Sequence, residues 1–400
     1  MDLKPLLGRK DILIPILLTS NHYKMRNFIS GAEAIVMGAI DARCNFFSGY
    51  PITPATPILL QMSRDLPKVG GIAIQAEDEI AAIGFCIGAA LAGSRVMTAT
   101  SGPGISLFSE NIGMAIMVEV PMVIVDCQRM GPATGGATTT GQGDIQFLRW
   151  GTSGGYPVIV LSPVSVSDCY NLTRCAFNLA ERYRIPVFLA TDKETVLTRV
   201  AVDINEFEDI EIIERAKPSP ASAYKPFAYE HISDVPPLAA FGDPHTFRVT
   251  SSSHDESGYL IKDPVNMVRK NQHLEAKIVE SKNEISLVNM DIQEGAETLI
   301  ISYGVVARSV FETVYEARRE GIKVSALTIY TLWPVPEREI KSALSGVKRI
   351  IVPELNLGQY KREIDRLVLD EQEVVGLNRV DGSLISPAEI FDSLVSNAVH

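Results

Sequence analysis

Short apolar runs alternate with stretches of helical periodicity through the first half of the chain. Four runs are bounded by turn-forming residues, as is typical of buried parallel strands: CNFFSGY, SRVMTATSG, VPMVIVDCQR and IPVFLATDK. Helical patterns lie between them: EDEIAAIGFCIGAALAG, ISLFSENIGMAIMV and SVSDCYNLTRCAFNLAERY. In the first of these, Glu79, Ile83 and Cys86 recur at helical spacing. The alternation predicts a doubly wound α/β domain with a parallel sheet over residues 27–195.

The pattern changes between residues 196 and 290. The proline-rich segment AKPSPASAYKPFAYEHISDVPPLAAFGDP predicts an extended connector, and DPVNMVRKNQHLEAKIVESKNEI predicts a long polar helix. A second βα series follows, with strands AETLIISYG, IKVSALTIYTLWP and VKRIIVPELN and helices VVARSVFETVYEARREG, PEREIKSALSG and LGQYKREIDRLVLD. We therefore predict a smaller α/β domain over residues 291–400, and an N-terminal extension over residues 1–26.

Composition and charge narrow the class of protein. Four hundred residues are enough for about two to three domains. The net charge of −11 argues against a nucleic-acid binder and against an anionic membrane surface. No apolar run reaches the roughly 18–20 residues that span a bilayer, and the N-terminus lacks a secretory cleavage site. These features predict a cytoplasmic protein.

Cysteine and histidine positions bear on metal chemistry. The cysteines are Cys44, Cys86, Cys127, Cys169 and Cys175. They form no CxxC pair, so we expect buried free thiols in a reducing compartment and no iron–sulfur cluster on this chain. No histidine lies between residues 23 and 230. A histidine base or a histidine-rich metal site is therefore not expected in the first large domain, and we predict no metal ligands.

Candidate chemistry lies at the carboxyl ends of the predicted strands, where open parallel sheets bind ligands. In GYPITPATP, Thr53 fits a helix N-cap with Pro54 at the first helical position. Such a helix N-terminus favours a carboxylate or phosphate, although the stretch also fits a proline-capped helix without a ligand. Arg129 ends an apolar strand. It could clamp a carboxylate, or pair with Asp126 or Glu119.

Two further turns belong to this group. In TSGPG, small residues would let the backbone approach a ligand closely, although many tight turns share this composition. Glu79 opens a very apolar helix. It is either an ordinary partner of the helix dipole or a carboxyl group whose charged form is disfavoured by burial. In the second case it could share a proton with a ring nitrogen.

Several segments, in order, resemble the α subunits of 2-oxoacid:ferredoxin oxidoreductases. They are SGYPITPAT, AEDEIAAIG, TATSGPGISL, VIVDCQRMGPATGG, SSSHDESGY, YGVVARS, TLWPVPE and VPELNLGQ, and they cover the chain from about residue 27 onward. The resemblance implies a thiamine diphosphate pyrimidine-type domain followed by a transketolase C-terminal-like domain.

The resemblance also implies an activity and partners. Such enzymes use thiamine diphosphate to decarboxylate a 2-oxoacid oxidatively, transfer the acyl group to coenzyme A and reduce ferredoxin. A β subunit would share the thiamine diphosphate. Mg²⁺ and a 4Fe–4S cluster would lie on partner subunits, in an α2β2 assembly with possible γ and δ subunits. This chain should be inert alone, because it has no GDG-to-Asn motif; the nearest match, Gly143–Ile145 with Asn171, has isoleucine in third place.

Residue roles follow from the same resemblance. Glu79 matches the glutamate that hydrogen-bonds the aminopyrimidine ring. Thr53 and Arg129 match residues on the substrate side, Arg129 on the side of the oxoacid or of coenzyme A. The expected cofactor-side residues are Tyr50, Ile52, Glu79, Ser101, Gly102, Pro103 and Gly104.

One departure concerns the substrate. The branch of the family that acts on 2-oxoglutarate carries a lysine between two threonines after the arginine, followed by Glu-Gln. Here Thr139 and Gly141 take the places of the lysine and the glutamate. Arg149 or Arg129 could compensate. The overall similarity favours 2-oxoglutarate, with branched-chain or aryl 2-oxoacids as the alternative. A non-catalytic scaffold subunit stays open, whereas a dinucleotide-binding oxidoreductase is disfavoured because no GxGxxG follows the first strand.

Overall fold

A computed structural model describes residues 26–396 except 138, 204–206, 208 and 221–222. The predicted N-terminal extension lies outside the described residues apart from Arg26. The strands are β1 (Arg26–Ser30), β2 (Phe46–Gly49), β3 (Ile72–Gln75), β4 (Val96–Thr100), β5 (Met122–Gln128), β6 (Ile159–Leu161), β7 (Pro186–Asp192), β8 (Arg199–Asp203), β9 (Val288–Asp291), β10 (Thr298–Ser302), β11 (Ser325–Ile329), β12 (Thr331–Trp333), β13 (Arg349–Glu354) and β14 (Glu373–Asn378). The helices are α1 (Gly31–Asp41), α2 (Thr56–Asp65), α3 (Glu79–Leu91), α4 (Gly102–Val118), α5 (Ile145–Trp150), α6 (Val166–Tyr183), α7 (Lys193–Leu197), α8 (Pro264–Val279), α9 (Lys282–Ile285), α10 (Val306–Arg319), α11 (Glu337–Ala343), α12 (Lys361–Asp365) and α13 (Pro387–Val395).

The larger sheet has the strand order β12-β6-β7-β5-β4-β2-β3. Neighbouring strands are parallel except β12, which runs antiparallel to β6 at one edge. On β5, Val123 and Val125 face a core shared with α1, α2 and α6. Met122 and Ile124 face the opposite core, which α3 and α4 cover. Because both faces are buried beneath helices, the doubly wound α/β fold is confirmed.

The smaller sheet has the order β14-β13-β10-β11-β9, with β9 antiparallel to β11. One face packs with α10 and α13, and the other joins the core beneath α3 and α4. The predicted strand IKVSALTIYTLWP is two strands, so that prediction was wrong. The Leu287 carbonyl accepts hydrogen bonds from the backbone N–H groups of both Tyr330 and Thr331. The chain turns there, and β12 joins the larger sheet.

Two predicted helices are shorter than expected. Helix α12 spans only Lys361–Asp365. Before it, the Glu354 carboxylate accepts hydrogen bonds from the N–H groups of Tyr360 and Lys361, which replaces the first helical turn. The long polar helix is divided into α8 and α9 around Ser281. Before α12, tertiary hydrogen bonds therefore override the helical periodicity of the sequence.

The five cysteines are buried and free, as predicted. Burial raises the pKa of the Cys44 thiol to about 12. Among the described residues no helix has the length and apolar character required to cross a bilayer. In the same part of the chain, no group of three or more His, Cys, Asp or Glu side chains is arranged to hold a metal ion.

Candidate active site

The carboxyl ends of β2, β4 and β5 lie side by side in the larger sheet. Phe47 pairs with Met97, and Thr100 pairs with Asp126. The segments that follow these strands are therefore neighbours: the GYPITPATP turn, the TSGPG turn at the start of α4, and the loop that begins at Arg129. The three turns singled out in the sequence meet at one edge of the sheet.

The GYPITPATP turn does not form the predicted cap. Helix α2 begins at Thr56 after Ala55, and Pro57 occupies its first turn. The Thr56 N–H donates to the Ile52 carbonyl at 2.9 Å, so a separate turn containing the cis Thr53–Pro54 bond precedes the helix. Thr53 is consequently not an N-cap. Its side chain and Tyr50 are exposed, while Ile52 packs against the core.

Arg129 joins this turn to the loop after β5. Its side chain is buried; Nη1 donates to the Thr53 carbonyl at 2.6 Å and Nη2 to the Thr134 carbonyl at 3.3 Å. Nε is buried without a hydrogen-bond partner among the described residues. Arg129 therefore lies beside Thr53, as required for a shared carboxylate site, and makes no hydrogen bond to Asp126 or Glu119.

Glu79 is the first residue of α3, after the N-cap Asp78. It is 7% exposed, and its carboxylate accepts no hydrogen bond from any described residue. Gly104 in the first turn of α4 lies against it: a Cβ on Gly104 would be 2.9 Å from Glu79 Cγ and 1.9 Å from Thr100 Oγ1. Only glycine allows this approach, so a carboxyl group with free acceptor capacity lies directly beside the SGPG turn.

The N-terminus of α4 has no side-chain cap. Ser101 occupies the N-cap position without a capping hydrogen bond, and Pro103 lies in the first turn. The Oγ atoms of Ser101 and Thr100 are buried without partners in the described structure. An uncapped N-terminus of a long helix favours an anion or another polar acceptor.

Two carboxyl groups in this region were not among the predicted site residues. Asp126 on β5 is fully buried, and neither of its oxygens has a hydrogen-bond partner among the described residues. Asp144 follows the Arg129 loop, and its carboxylate lies against Gly102: a Cβ there would be 3.2 Å from Oδ2. The sequence indicates Asp144 only through its position in GQGDI, shortly after Arg129. We considered that segment only as the nearest match to a GDG-to-Asn cofactor motif.

Arg149 and Thr139, both considered for the distal part of the substrate, make local contacts. The Arg149 guanidinium donates to the carbonyls of Gly155 and Tyr156 and stacks on Trp150. Thr139 Oγ1 donates to the Gly136 carbonyl at 2.8 Å. Of the two arginines considered, only Arg129 reaches the Thr53 turn.

A cavity of about 630 Å³ lies along the outer face of α4. Its walls include Glu110, Met114 and Tyr156, and none of the predicted site residues lines it. The cavity is therefore separate from the cluster of Glu79, Thr53 and Arg129.

Comparison with known proteins identifies the family of the chain. Residues 37–273 match the family described as pyruvate flavodoxin/ferredoxin oxidoreductase, thiamine diphosphate-binding. Residues 296–390 match core domain II of pyruvate:ferredoxin oxidoreductase. The chain is 41% identical to the 2-oxoglutarate synthase subunit KorA of Methanocaldococcus jannaschii, over 91% of this chain and 97% of that protein. It is 35% identical to the ketoisovalerate oxidoreductase subunit VorB of Methanothermobacter thermautotrophicus, over 92% of this chain and 96% of that protein.

A solved structure is also similar. It is the 2-oxoglutarate:ferredoxin oxidoreductase from Magnetococcus marinus with 2-oxoglutarate, coenzyme A and succinyl-CoA bound. The TM-score is 0.87 at 34% identity, covering 94% of this chain. The match spans 66% of the solved chain, slightly less than two thirds of its length.

Proposed function

The chain belongs to the family of 2-oxoacid:ferredoxin oxidoreductase α subunits, and from this premise we propose that it takes part in thiamine diphosphate-dependent oxidative decarboxylation of a 2-oxoacid. The favoured substrate is 2-oxoglutarate, with acyl-CoA, CO2 and reduced ferredoxin as products. Support for this substrate comes from relatives named 2-oxoglutarate synthase subunits and from a structural neighbour that holds 2-oxoglutarate and coenzyme A.

Glu79 carries the proposal. A buried carboxyl group that has no hydrogen-bond partner among the described residues and lies against the glycine turn fits a ligand nitrogen. When bound, thiamine diphosphate supplies the nucleophilic carbon that adds to the keto group of the acid. Glu79 would hold a proton against a nitrogen of the aminopyrimidine ring. Tyr50, Ile52 and the turn Ser101–Gly104 would form the walls around that ring.

Thr53 and Arg129 would bind the acid. The Arg129 guanidinium is already oriented by the Thr53 and Thr134 carbonyls, and its buried Nε–H has no partner in the described part of the chain. A carboxylate placed between Arg129 and the exposed Thr53 hydroxyl would gain charge-assisted hydrogen bonds.

A branched-chain 2-oxoacid is the second candidate substrate. Thr139 replaces the lysine typical of the 2-oxoglutarate branch, and the ketoisovalerate oxidoreductase subunit is 35% identical to this chain. Because position 139 is a threonine and not a lysine, it offers no positive charge to a distal carboxylate, and an apolar substrate side chain would be accepted equally well.

Its relatives are named as subunits of 2-oxoglutarate synthase and of 2-oxoacid:ferredoxin oxidoreductase, so the chain is expected to act with partner chains. We place the diphosphate side of the cofactor, Mg²⁺ and a 4Fe–4S cluster on a β subunit, in an α2β2 assembly that reduces ferredoxin. The exposed face of α3 supports a partner at this site. Ile80 and Phe85 are half exposed there, and a Cβ on Gly84 would meet no atom within 4 Å. The free cysteines suit the reducing cytoplasm.

The experiment is reconstitution with the β subunit, followed by assay of a panel of 2-oxoacids with coenzyme A and ferredoxin. Glu79→Gln preserves the shape of the side chain and should preserve assembly, while decarboxylation falls by roughly 10²–10⁴-fold because the proton at the ring nitrogen is no longer held. Glu77→Gln is the matched control, since Glu77 is exposed two residues earlier.

Wild-type turnover by Glu79→Gln would count against the catalytic assignment. A complete wild-type assembly that turns over no 2-oxoacid would favour the scaffold alternative instead. The ratio of kcat/KM for 2-oxoglutarate and 2-oxoisovalerate would decide between the two substrate classes.

A further inference from the structure

The segment 139–143 returns to the backbone of Arg129. The Met130 N–H donates to the Thr139 carbonyl at 3.1 Å. A Cβ on Gly141 would lie 2.8 Å from Met130 Cα and 3.2 Å from the backbone carbonyl carbon of Arg129, so only glycine allows this approach. The path of this segment therefore limits where the backbone of Arg129, and with it the guanidinium, can lie.

The smaller domain holds the end of this segment by three hydrogen bonds. The Gln142 N–H donates to the Leu355 carbonyl at 2.9 Å, and Asn356 Nδ2 donates to the Gln142 carbonyl at 2.9 Å. Gln359 Nε2 donates to the Gly143 carbonyl at 2.6 Å. Both backbone groups of Gln142 and the next carbonyl are therefore bound by the smaller domain.

The loop after β14 contacts the start of the same segment. A Cβ on Gly382 would lie 2.9 Å from Thr139 Cβ and 3.2 Å from Thr139 Cγ2, and the φ of Gly382 is +83°, a value that favours glycine. The smaller domain thus contacts the segment on both sides of Gly141, the residue that lies against Arg129.

The side chains that hold the segment are themselves fixed. The Gln359 N–H donates to Asn356 Oδ1 at 2.8 Å, and Gln359 Oε1 accepts from the Gln146 N–H at 2.9 Å. Asn356 Nδ2 also donates to the Tyr303 hydroxyl at 2.9 Å, and that hydroxyl donates to Glu354 Oε2 at 2.8 Å. The two amides therefore have defined partners and little rotational freedom.

The Arg129 guanidinium donates to the carbonyls of Thr53 and Thr134, so the smaller domain acts on the placement of its backbone. Hydrogen bonds between a guanidinium and a carboxylate depend on the alignment of the two groups. A displacement of about 1 Å would therefore weaken the binding of a carboxylate without removing any group that contacts it.

We propose that Asn356 and Gln359 of the smaller domain are positioning residues for the 2-oxoacid: they hold the segment 139–143 against the backbone of Arg129 and so set the place of the guanidinium. The proposal rests on the proposed function, in which Arg129 binds the carboxylate. Because the two amides act on substrate binding and not on the reacting carbon, their loss should change KM rather than kcat.

The test is Gln359→Met in the reconstituted complex, with the 2-oxoacid that the wild type uses best. Methionine keeps the length of the side chain and adds no charge that would itself repel an anionic substrate. KM should rise about threefold to tenfold because the hold on Gly143 is lost, and kcat should stay within about twofold of the wild type.

Gln372→Met is the matched control. Gln372 is half-buried like Gln359, but its Nε2 donates to the carbonyls of Leu344 and Val347, within the smaller domain. A loss of stability in that domain without loss of the hold on the segment should leave KM unchanged. An equal rise of KM in both variants would overturn the inference.

A double-mutant cycle tests whether Gln359 acts through Arg129. In an Arg129→Lys background, kcat/KM taken from the initial slope should fall by less than about twofold when Gln359→Met is added, because the group that it positions is already gone. If Gln359→Met has the same effect in both backgrounds, Gln359 does not act through Arg129 and the inference is wrong.

Hydrogen exchange on the same complexes gives a readout that needs no turnover. The amides of Met130 and Gln142, which donate to backbone carbonyls in the wild type, should exchange faster in Gln359→Met and at the wild-type rate in Gln372→Met. Gln359→Ala also removes the amide and requires no space, so it serves as the second variant if methionine is not accommodated.

The failure of the inference differs from the failure of the proposed function. If Gln359→Met turns over the 2-oxoacid with the wild-type KM and the wild-type exchange, the inference is wrong and the proposed function stands. If the wild-type complex turns over no 2-oxoacid, the proposed function fails and the role of Gln359 toward the substrate fails with it.

Discussion

At the scale of single residues, the contact between Gly104 and Glu79 decides the shape of the candidate site. The Glu79 carboxyl group lies against the first turn of α4 because position 104 has no side chain, and Thr100 Oγ1 fills the remaining space beneath that turn. The start of α4, the Glu79 carboxyl group and the end of β4 lie close together here, and any Cβ at position 104 would disrupt this arrangement.

Gly104→Ala should therefore impair both folding and catalysis. A methyl group would lie 1.9 Å from Thr100 Oγ1 and 2.9 Å from Glu79 Cγ, so α4 must move or both side chains must shift. We expect a loss of about 1–3 kcal/mol in the free energy of unfolding, measured by urea denaturation, and a larger loss of turnover in the assembled enzyme. Gly84→Ala is the control for stability alone, because its Cβ has open space on α3 and should stabilise the isolated chain by about 0.5–1 kcal/mol. Wild-type stability and turnover in Gly104→Ala would contradict this account.

A second prediction at the residue scale concerns Thr53, which is not a helix N-cap in the structure. Thr53→Ala should change the free energy of unfolding by less than about 0.5 kcal/mol. If the hydroxyl binds the substrate carboxylate, KM should rise roughly tenfold or more, since a hydrogen bond to a charged group is lost. Steady-state kinetics and urea denaturation of the same preparation separate the two effects. Thr56→Ala, at the first position of α2, should leave KM unchanged.

The opposite outcome for Thr53→Ala is equally clear. A loss of about 1 kcal/mol in stability with unchanged KM would mean that Thr53 acts only in the turn and not on the substrate.

At the scale of elements, the sequence predicted most of the buried strands, but it missed the short buried strand β6 and exposed strands such as β3. The runs that became β5 and β7 are buried along their whole length, so their apolar character is continuous. Strand β3 was missed: it is a four-residue edge strand, and Ile72 at its start is 57% exposed. Short edge strands carry too little periodicity to be recognised before their partners are known.

The same distinction applies to the candidate site. Glu79, the SGPG turn and Arg129 could be found because each follows or precedes a recognisable element. The position of Asp144 could not, since it depends on hydrogen bonds from Asn356 and Gln359, more than two hundred residues later. The Thr53 cap was wrong because a turn closed by the Ile52 carbonyl displaces the start of α2.

At the scale of the whole molecule, the two sheets are not independent. Strand β12 follows β11 of the smaller sheet but pairs with β6 at the edge of the larger one. Tyr303 and Leu327 from the smaller domain belong to the core that α3 and α4 cover. The domain boundaries at residues 195, 290 and 291 stay predictions, but side chains from both halves of the chain contribute to one continuous core.

A buried ion cluster attaches the connector and α8 to this core. Glu119, at the end of α4, is fully buried and interacts with Lys270, Lys277 and His273 of α8. Arg184, after α6, donates to the carbonyls of connector prolines, Pro226 and Pro236 among them, and to the Glu119 carbonyl. One carboxylate is thus surrounded by cations from two distant segments, which hold the pKa of Glu119 well below its usual range.

Glu119→Gln should be strongly destabilising, because it leaves buried cations without their shared counter-charge. We expect a loss of about 3–5 kcal/mol in the free energy of unfolding, measured by urea denaturation near pH 7.

Since the folded pKa of Glu119 is depressed, its contribution to the free energy of unfolding is present above the ordinary pKa of 4.5 and is lost as the pH falls below that value. The wild-type chain should therefore lose stability on acidification more steeply than the variant. Glu110→Gln, on the exposed face of α4, serves as the control and should behave like wild type. If Glu119→Gln unfolds at the wild-type urea concentration, the cluster does not hold α8 and the connector in place.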